Sequence, residues 1–130
     1  MPEPTDPTVA RSIAAAVGPC YTVAGMARTL GWTESAVLEA GDHLRLLMLP
    51  TSDDVPLFPA FQIVDGKVVK GLPRVLLILE IGIESPWMWA QWLNVEWPDA
   101  NPPRKIKYLY DGRIEEAIRD AREAASAWNS

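Results

Sequence analysis

Between Val23 and Val37 the chain places a small residue at Ala27, a glycine four positions on at Gly31, and a branched apolar residue six further at Val37. Two helices that cross closely need that order: a small side chain where the axes meet, a residue free to turn sharply, and an apolar wedge that locks the second helix. The spacing predicts a helix-turn-helix-like unit. Met26, Leu30 and Trp32 supply further apolar contacts, and Thr33 stands where it can cap a second helix from Glu34 to Ala40, closed by Gly41. The first helix of this pair is expected over Tyr21 to Leu30. Another, over Val9 to Val17, precedes it and is stopped by Gly18-Pro19.

Beyond Leu44 the texture changes. Leu46 to Leu49 and Leu57 to Val64 are apolar runs on either side of the turn-rich segment Pro50 to Pro56, which predicts a β-hairpin like the wing of a winged helix-turn-helix variant. Pro59 would then lie at an edge or bulge, since it has no N–H for a ladder. Asp65-Gly66 makes a turn before Val68-Val69. Gly71-Leu72-Pro73 opens the apolar stretch Val75 to Ile83, where helix is preferred to a buried strand because proline suits a first helical turn. Ser85-Pro86 starts a helix to Asn94, a proline-bearing loop spans Val95 to Pro103, Arg104 to Tyr110 is a short helix ended by Asp111-Gly112, and Arg113 to Trp128 is a long one. Its inward stripe is Ile114, Ala117, Ile118, Ala121, Ala125 and Trp128. The fold class expected is mostly α: a loose tail over residues 1–8, a helix-turn-helix-like unit with a small β-hairpin over 9–66, and a helical partner-binding module over 67–130.

Composition narrows the function. With 130 residues, 48% of them apolar and 22% charged, one compact body with a real core is expected. The net charge of −5 weighs against charge-driven attachment to nucleic acid or an anionic membrane. Cys20 is the only cysteine, so no intramolecular disulfide and no cysteine-based zinc site can form, and the cytoplasm is the expected compartment. The N-terminus carries acid and proline rather than a basic stretch leading into an apolar run, so no secretory signal is read there. Val75 to Ile83 is interrupted by Glu80 and falls well short of the roughly 20 residues that cross a bilayer.

Chemistry-bearing groups are scarce. His43, the single histidine, sits beside Asp42 without a nucleophile in any recognisable motif, and Cys20 reads as a small apolar residue in the interior. No phosphate-cradling glycine loop, metal-ligand spacing or glycine-flanked serine occurs. The chain is expected to be no enzyme and to need no cofactor or metal.

Two surfaces are candidates for binding. On the helix-turn-helix unit, Arg28, Thr33, Ser35 and Arg45 are the residues that could meet DNA, yet Glu34 and Glu39 share the outward positions of the second helix. From Gly18 to Pro50 the two arginines face Glu34, Glu39 and Asp42, a local balance of −1 (2 minus 3). Operator binding and a purely structural or dimerisation role both remain open for this unit.

In the second half stand Trp87-Met88-Trp89-Ala90-Gln91-Trp92-Leu93-Asn94, then Asn101-Pro102-Pro103-Arg104-Lys105-Ile106, then Leu109-Tyr110-Asp111-Gly112 leading into a final helix. These residues resemble the antitoxin family whose C-terminal module is the Xre/MbcA/ParS toxin-binding domain. Trp92-Leu93 corresponds to its Trp-Leu step, Asn101-Pro102 to its Asn-Pro loop, Arg104 to the arginine before a short helix, and Asp111-Gly112 to the break before the last helix at Ile114 to Ala121. Phe58 to Gln62, with Asp65-Gly66 and Gly71-Leu72, also looks like a stretch that precedes the domain in relatives.

The resemblance implies an antitoxin-like protein that binds and neutralises a protein toxin of the NAD-consuming RES class, usually as a homo-oligomer, with autoregulatory DNA binding. The alternative is a DNA-binding transcriptional regulator without a toxin partner. Partner-binding residues are expected at Trp89, Trp92, Arg104, Lys105, Asp111 and Gly112. Positions two apart on a helix point about 200° apart, so Trp87, Trp89 and Trp92 cannot share one face, and at least one is expected at a surface where it could anchor a partner.

Overall fold

The computed structural model describes residues 16–129. The tail over residues 1–8 and the helix expected over Val9 to Val17 lie outside that range except for Ala16 and Val17, which are helical. Among the described residues the protein is mostly helical, with two short antiparallel strand pairs.

Strand β1 (Cys20–Tyr21) runs into helix α1 (Val23–Leu30), which is followed by α2 (Glu34–Asp42). Tyr21 was expected to be helical. It is extended instead, because Thr22 takes the N-cap and its hydroxyl accepts from the Gly25 N–H, which starts the helix at Val23. Gly31 adopts the left-handed conformation that ends α1, and Thr33 caps α2 by accepting from the Ala36 N–H. Gly41 does not close α2, as expected, but lies buried inside it, where a Cβ would come within 2.7 Å of the Met48 sulfur. It is there to admit Met48.

The hairpin expected from Leu46 to Val64 shrinks to one bridge, in which Leu49 and Leu57 exchange both backbone bonds. Phe58–Pro59 (β2) pairs instead with β1, Cys20 opposite Pro59 and Tyr21 opposite Phe58. The reason is Gln62, fully buried in the 3-10 turn Ala60–Gln62: its amide accepts from the Leu47 N–H at 2.8 Å and donates to the Leu47 and Pro59 carbonyls at 3.0 Å. A side-chain amide offers the donor and acceptor that a partner strand would otherwise present, so Leu47 is satisfied without a ladder. The true hairpin is one step later: β3 (Ile63–Val64) and β4 (Lys67–Val68) flank Asp65-Gly66, both at positive φ, the two-residue turn whose twist suits paired strands.

The second half is α3 (Leu72–Gly82), α4 (Pro86–Asn94), α5 (Ile106–Tyr110) and α6 (Ile114–Trp128). The stretch Val75 to Ile83 is therefore helical as far as Gly82, as preferred, and Ile83 is extended. Helices α3 and α6 pack closely at their C-terminal ends, where a Cβ on Gly82 would sit 2.5 Å from the Ala125 Cα. No described helix is long and apolar enough to cross a membrane.

Two clusters fill the interior. Met26, Ala27, Val37, Ala40, Leu46 and Phe58 form the smaller one inside the helix-turn-helix unit, as the Ala27 and Val37 spacing requires. The larger is built around α3, α4 and α6, and it also takes Val17, Leu47 and Leu49 from the first half. Trp87 Nε1 donates to the Pro50 carbonyl and Tyr110 Oη to the Phe61 carbonyl, so the segment 65–71 is a change of element rather than a gap in packing.

Candidate nucleic-acid interface

Helix α1, its turn and the β3–β4 hairpin lie side by side, since a Cβ on Gly66 at the hairpin tip would come within 3.5 Å of the Thr29 carbonyl. Between them runs a groove of about 530 Å³ lined by Leu30, Trp32, Arg45, the hairpin residues Gly66 to Val68, and Val69 to Pro73 except Leu72. Arg45, Lys67 and Lys70 all line it, and no carboxylate does. Lys67 and Lys70 make no ion pair among the described residues, while Arg45 meets Glu39 only at 3.7 Å with both side chains largely in solvent. Trp32, held at the turn by its N–H bond to the Ala27 carbonyl, is 41% exposed at the rim.

Of the residues expected to meet DNA, Arg45 lines this groove. Thr33 and Ser35 are exposed at the start of α2, and Arg28 is exposed on α1. Glu34 and Glu39 are exposed on α2, as their outward positions predicted. Trp32, Lys67 and Lys70 complete the arrangement and were missed. A signal for them exists in Lys67-Val68-Val69-Lys70, which follows an Asp-Gly turn directly, but assigning the wing to Leu46–Val64 hid it. Chemically, two lysines without ion pairs, an arginine only loosely held by Glu39 and one exposed indole suit the phosphates of a nucleic acid.

The partner-binding residues are placed differently. Trp89 is 2% exposed and donates through Nε1 to the Ile83 carbonyl at 2.8 Å, and Trp92 is 8% exposed. The expectation that at least one of the three tryptophans reaches a surface is corrected. Two sides of α4 are indeed used, but both are interior, because loop 44–56, α3 and α6 enclose the helix. Lys105 Nζ bonds Asp120 Oδ2 at 2.8 Å in a mostly buried pair. Burial raises the Asp120 pKa, but Lys105 and Arg119 together hold it below the usual range. Asp111 ends α5 and receives Lys107, and Gly112 at positive φ makes the break to α6. Arg104 is exposed in a shallow groove with Lys107 and Tyr110. Thus Arg104, Asp111 and Gly112 are at the surface, while Trp89, Trp92 and Lys105 hold the structure together.

His43 is exposed, its Nδ1 2.9 Å from the Glu39 carbonyl oxygen, and Cys20 is half-buried, its thiol pushed up in pKa by burial. No group of three or more metal-ligating side chains occurs among the described residues.

No protein-family model matches the chain, and no curated protein does. Among solved structures, the NMR structure of Rv2175c is similar, with a TM-score of 0.68 over 95% of this chain and 87% of that one, at 21% sequence identity. At that identity the likeness is one of fold, and it extends over both halves of the molecule.

Proposed function

We propose that the protein is a DNA-binding regulator that holds duplex through the groove of Trp32, Arg45, Lys67 and Lys70. The observation that carries this reading is the segregation of three cations and an exposed indole into one groove without a carboxylate, beside a helix-turn-helix. Phosphates would be neutralised by Arg45, Lys67 and Lys70, with Thr33 and Ser35 at the start of α2 closest to base edges. Glu34 and Glu39 oppose phosphate on the same helix, so affinity is modest and strongly salt-dependent. A cytoplasmic location follows from this role.

The test is fluorescence anisotropy of a labelled duplex over a salt series. Replacing Arg45, Lys67 and Lys70 with glutamine should lower the log–log salt slope by about 2–3, since each phosphate contact contributes about 0.9. Glu34→Lys with Glu39→Lys should strengthen retention. A triple variant with the parent's slope and affinity would overturn the reading.

The antitoxin reading has a narrower support: exposed Tyr110, in one groove with Arg104, Lys107 and Glu96, gives the second half a mixed aromatic and charged face at the residues that resemble the toxin-binding module. Co-expression with a RES-domain protein from the same locus, followed by pull-down with and without Tyr110→Ala, tests it.

A further inference from the structure

A second groove, of about 630 Å³, lies between the C-terminal half of α2, the loop from Leu44 to Pro56, and the junction of α3 with α4. Its apolar lining includes Leu44, Met48 and Trp89, with Leu38, 39% exposed, at the lip. Asp42, Asp54, Glu80 and Glu84 also line it, and no lysine or arginine does. None of the four carboxylates forms an ion pair among the described residues. The outer face of α3 carries Leu77 and Ile81, which are 52% and 74% exposed and flank Glu80 in sequence. Apolar side chains this open on a helix mark an unfilled contact.

We infer that this groove is a docking site for a short cationic amphipathic segment of a partner protein, which seats an apolar side chain against Leu38, Leu44 and Met48 while its lysines or arginines meet the four carboxylates. Helix-in-groove recognition of this kind takes its affinity from apolar anchors and its selectivity from the charged rim. A second copy of the chain fits poorly: two-fold packing of Leu77 and Ile81 on themselves would bring Glu80 and Glu84 of both copies to one seam. The chain's own first fifteen residues are a poor occupant as well, since Arg11 is their one cationic side chain and Glu3 and Asp6 accompany it. The inference does not depend on DNA binding.

The experiment is methyl and amide NMR of the full chain titrated with a synthetic peptide of lysine and leucine at helical spacing, beside two counterparts in which glutamate replaces lysine or glutamine replaces leucine. Shifts are expected at Leu38, Leu44, Met48, Leu77 and Ile81 with the first peptide and with neither counterpart. Asp42→Lys with Glu84→Lys should weaken binding by about tenfold or more, while Glu115→Lys with Glu123→Lys, an equal charge change elsewhere, should alter it by less than about twofold. Circular dichroism of each variant reports folding, and Leu38→Gln removes an anchor without changing charge. Equal weakening in both charge reversals, shifts centred on another surface, or no binding would overturn the inference. So would concentration-dependent self-association, without peptide, that perturbs the same methyls, since that assigns the groove to a second copy.

Discussion

The groove of Trp32, Arg45, Lys67 and Lys70 and the groove of Asp42, Asp54, Glu80 and Glu84 both draw on the helix-turn-helix, yet they carry opposite charge. Each also has a tryptophan in its lining, one at the rim and one in the floor. A tally along the chain averages these surfaces to a weakly acidic unit. Folding sorts them, bringing Lys67 from the hairpin and Lys70 just after it into one groove, and Glu80 near the end of α3 and Glu84 just beyond it into the other. Net charge therefore says little about a binding face when the residues that compose it come from distant segments.

The largest expected contrast is between the two tryptophans. Trp89→Ala empties a fully packed site and leaves the Ile83 carbonyl without its donor, so it should cost about 3–5 kcal/mol in urea unfolding. Trp32→Ala, at an exposed rim, should stay within about 0.5 kcal/mol of the parent while reducing DNA retention. Similar losses of stability in both would mean that the two grooves do not differ as described.

A second contrast concerns cations. Lys105 is committed to Asp120, whereas Lys67 has no ion-pair partner among the described residues. Lys105→Met should cost about 1–2 kcal/mol, between the ranges for exposed and buried pairs, and Lys67→Met close to nothing. Because the Asp120 pKa is lowered on folding, its contribution is fully present above the unfolded value and is lost as pH falls through the folded one. The parent should therefore lose stability in acid, below about pH 4, more steeply than Lys105→Met does. Parallel pH profiles would show that the pair contributes no linkage.

The smallest contrast is between two glycines. Gly41→Ala meets both the sulfur of Met48 at 2.7 Å and its Cβ at 2.9 Å beside the acidic groove, an overpacking expected to cost about 1–3 kcal/mol. Gly31→Ala has open space around it, and only the left-handed backbone opposes it, at about 1 kcal/mol. Partial recovery of Gly41→Ala by Met48→Ala, which removes the sulfur but keeps the Cβ at 2.9 Å, would sharpen the distinction, since relieving that part of the clash should help only there.

Legibility followed locality. Caps and turns were readable because each is set by neighbours in sequence: Thr33 caps α2, Ser85-Pro86 starts α4, Gly31 turns the chain, and Asp65-Gly66 turns the hairpin. The helix at Leu72–Gly82 was preferred to a buried strand because proline suits a first helical turn, where its missing N–H needs no partner. What failed needed a partner from elsewhere. Gln62 replaces a strand for Leu47 fifteen residues away, Met48 explains Gly41, and Pro50 and Ile83 supply the carbonyls that draw Trp87 and Trp89 inward. The candidate groove was visible only through Arg45. Lys67 and Lys70 join it only because the hairpin folds back onto Thr29.

By itself the sequence determined the helical class, the helix-turn-helix with its own small core, and the positions of most helix ends. These follow from periodicity and from residues whose preferences are met within one turn of the chain. The tertiary structure alone decided which tryptophans are interior, which cations remain unpaired, and how charge is divided between the two grooves. Burial and electrostatics depend on distances through space, and those are set by packing between segments that periodicity cannot relate to one another.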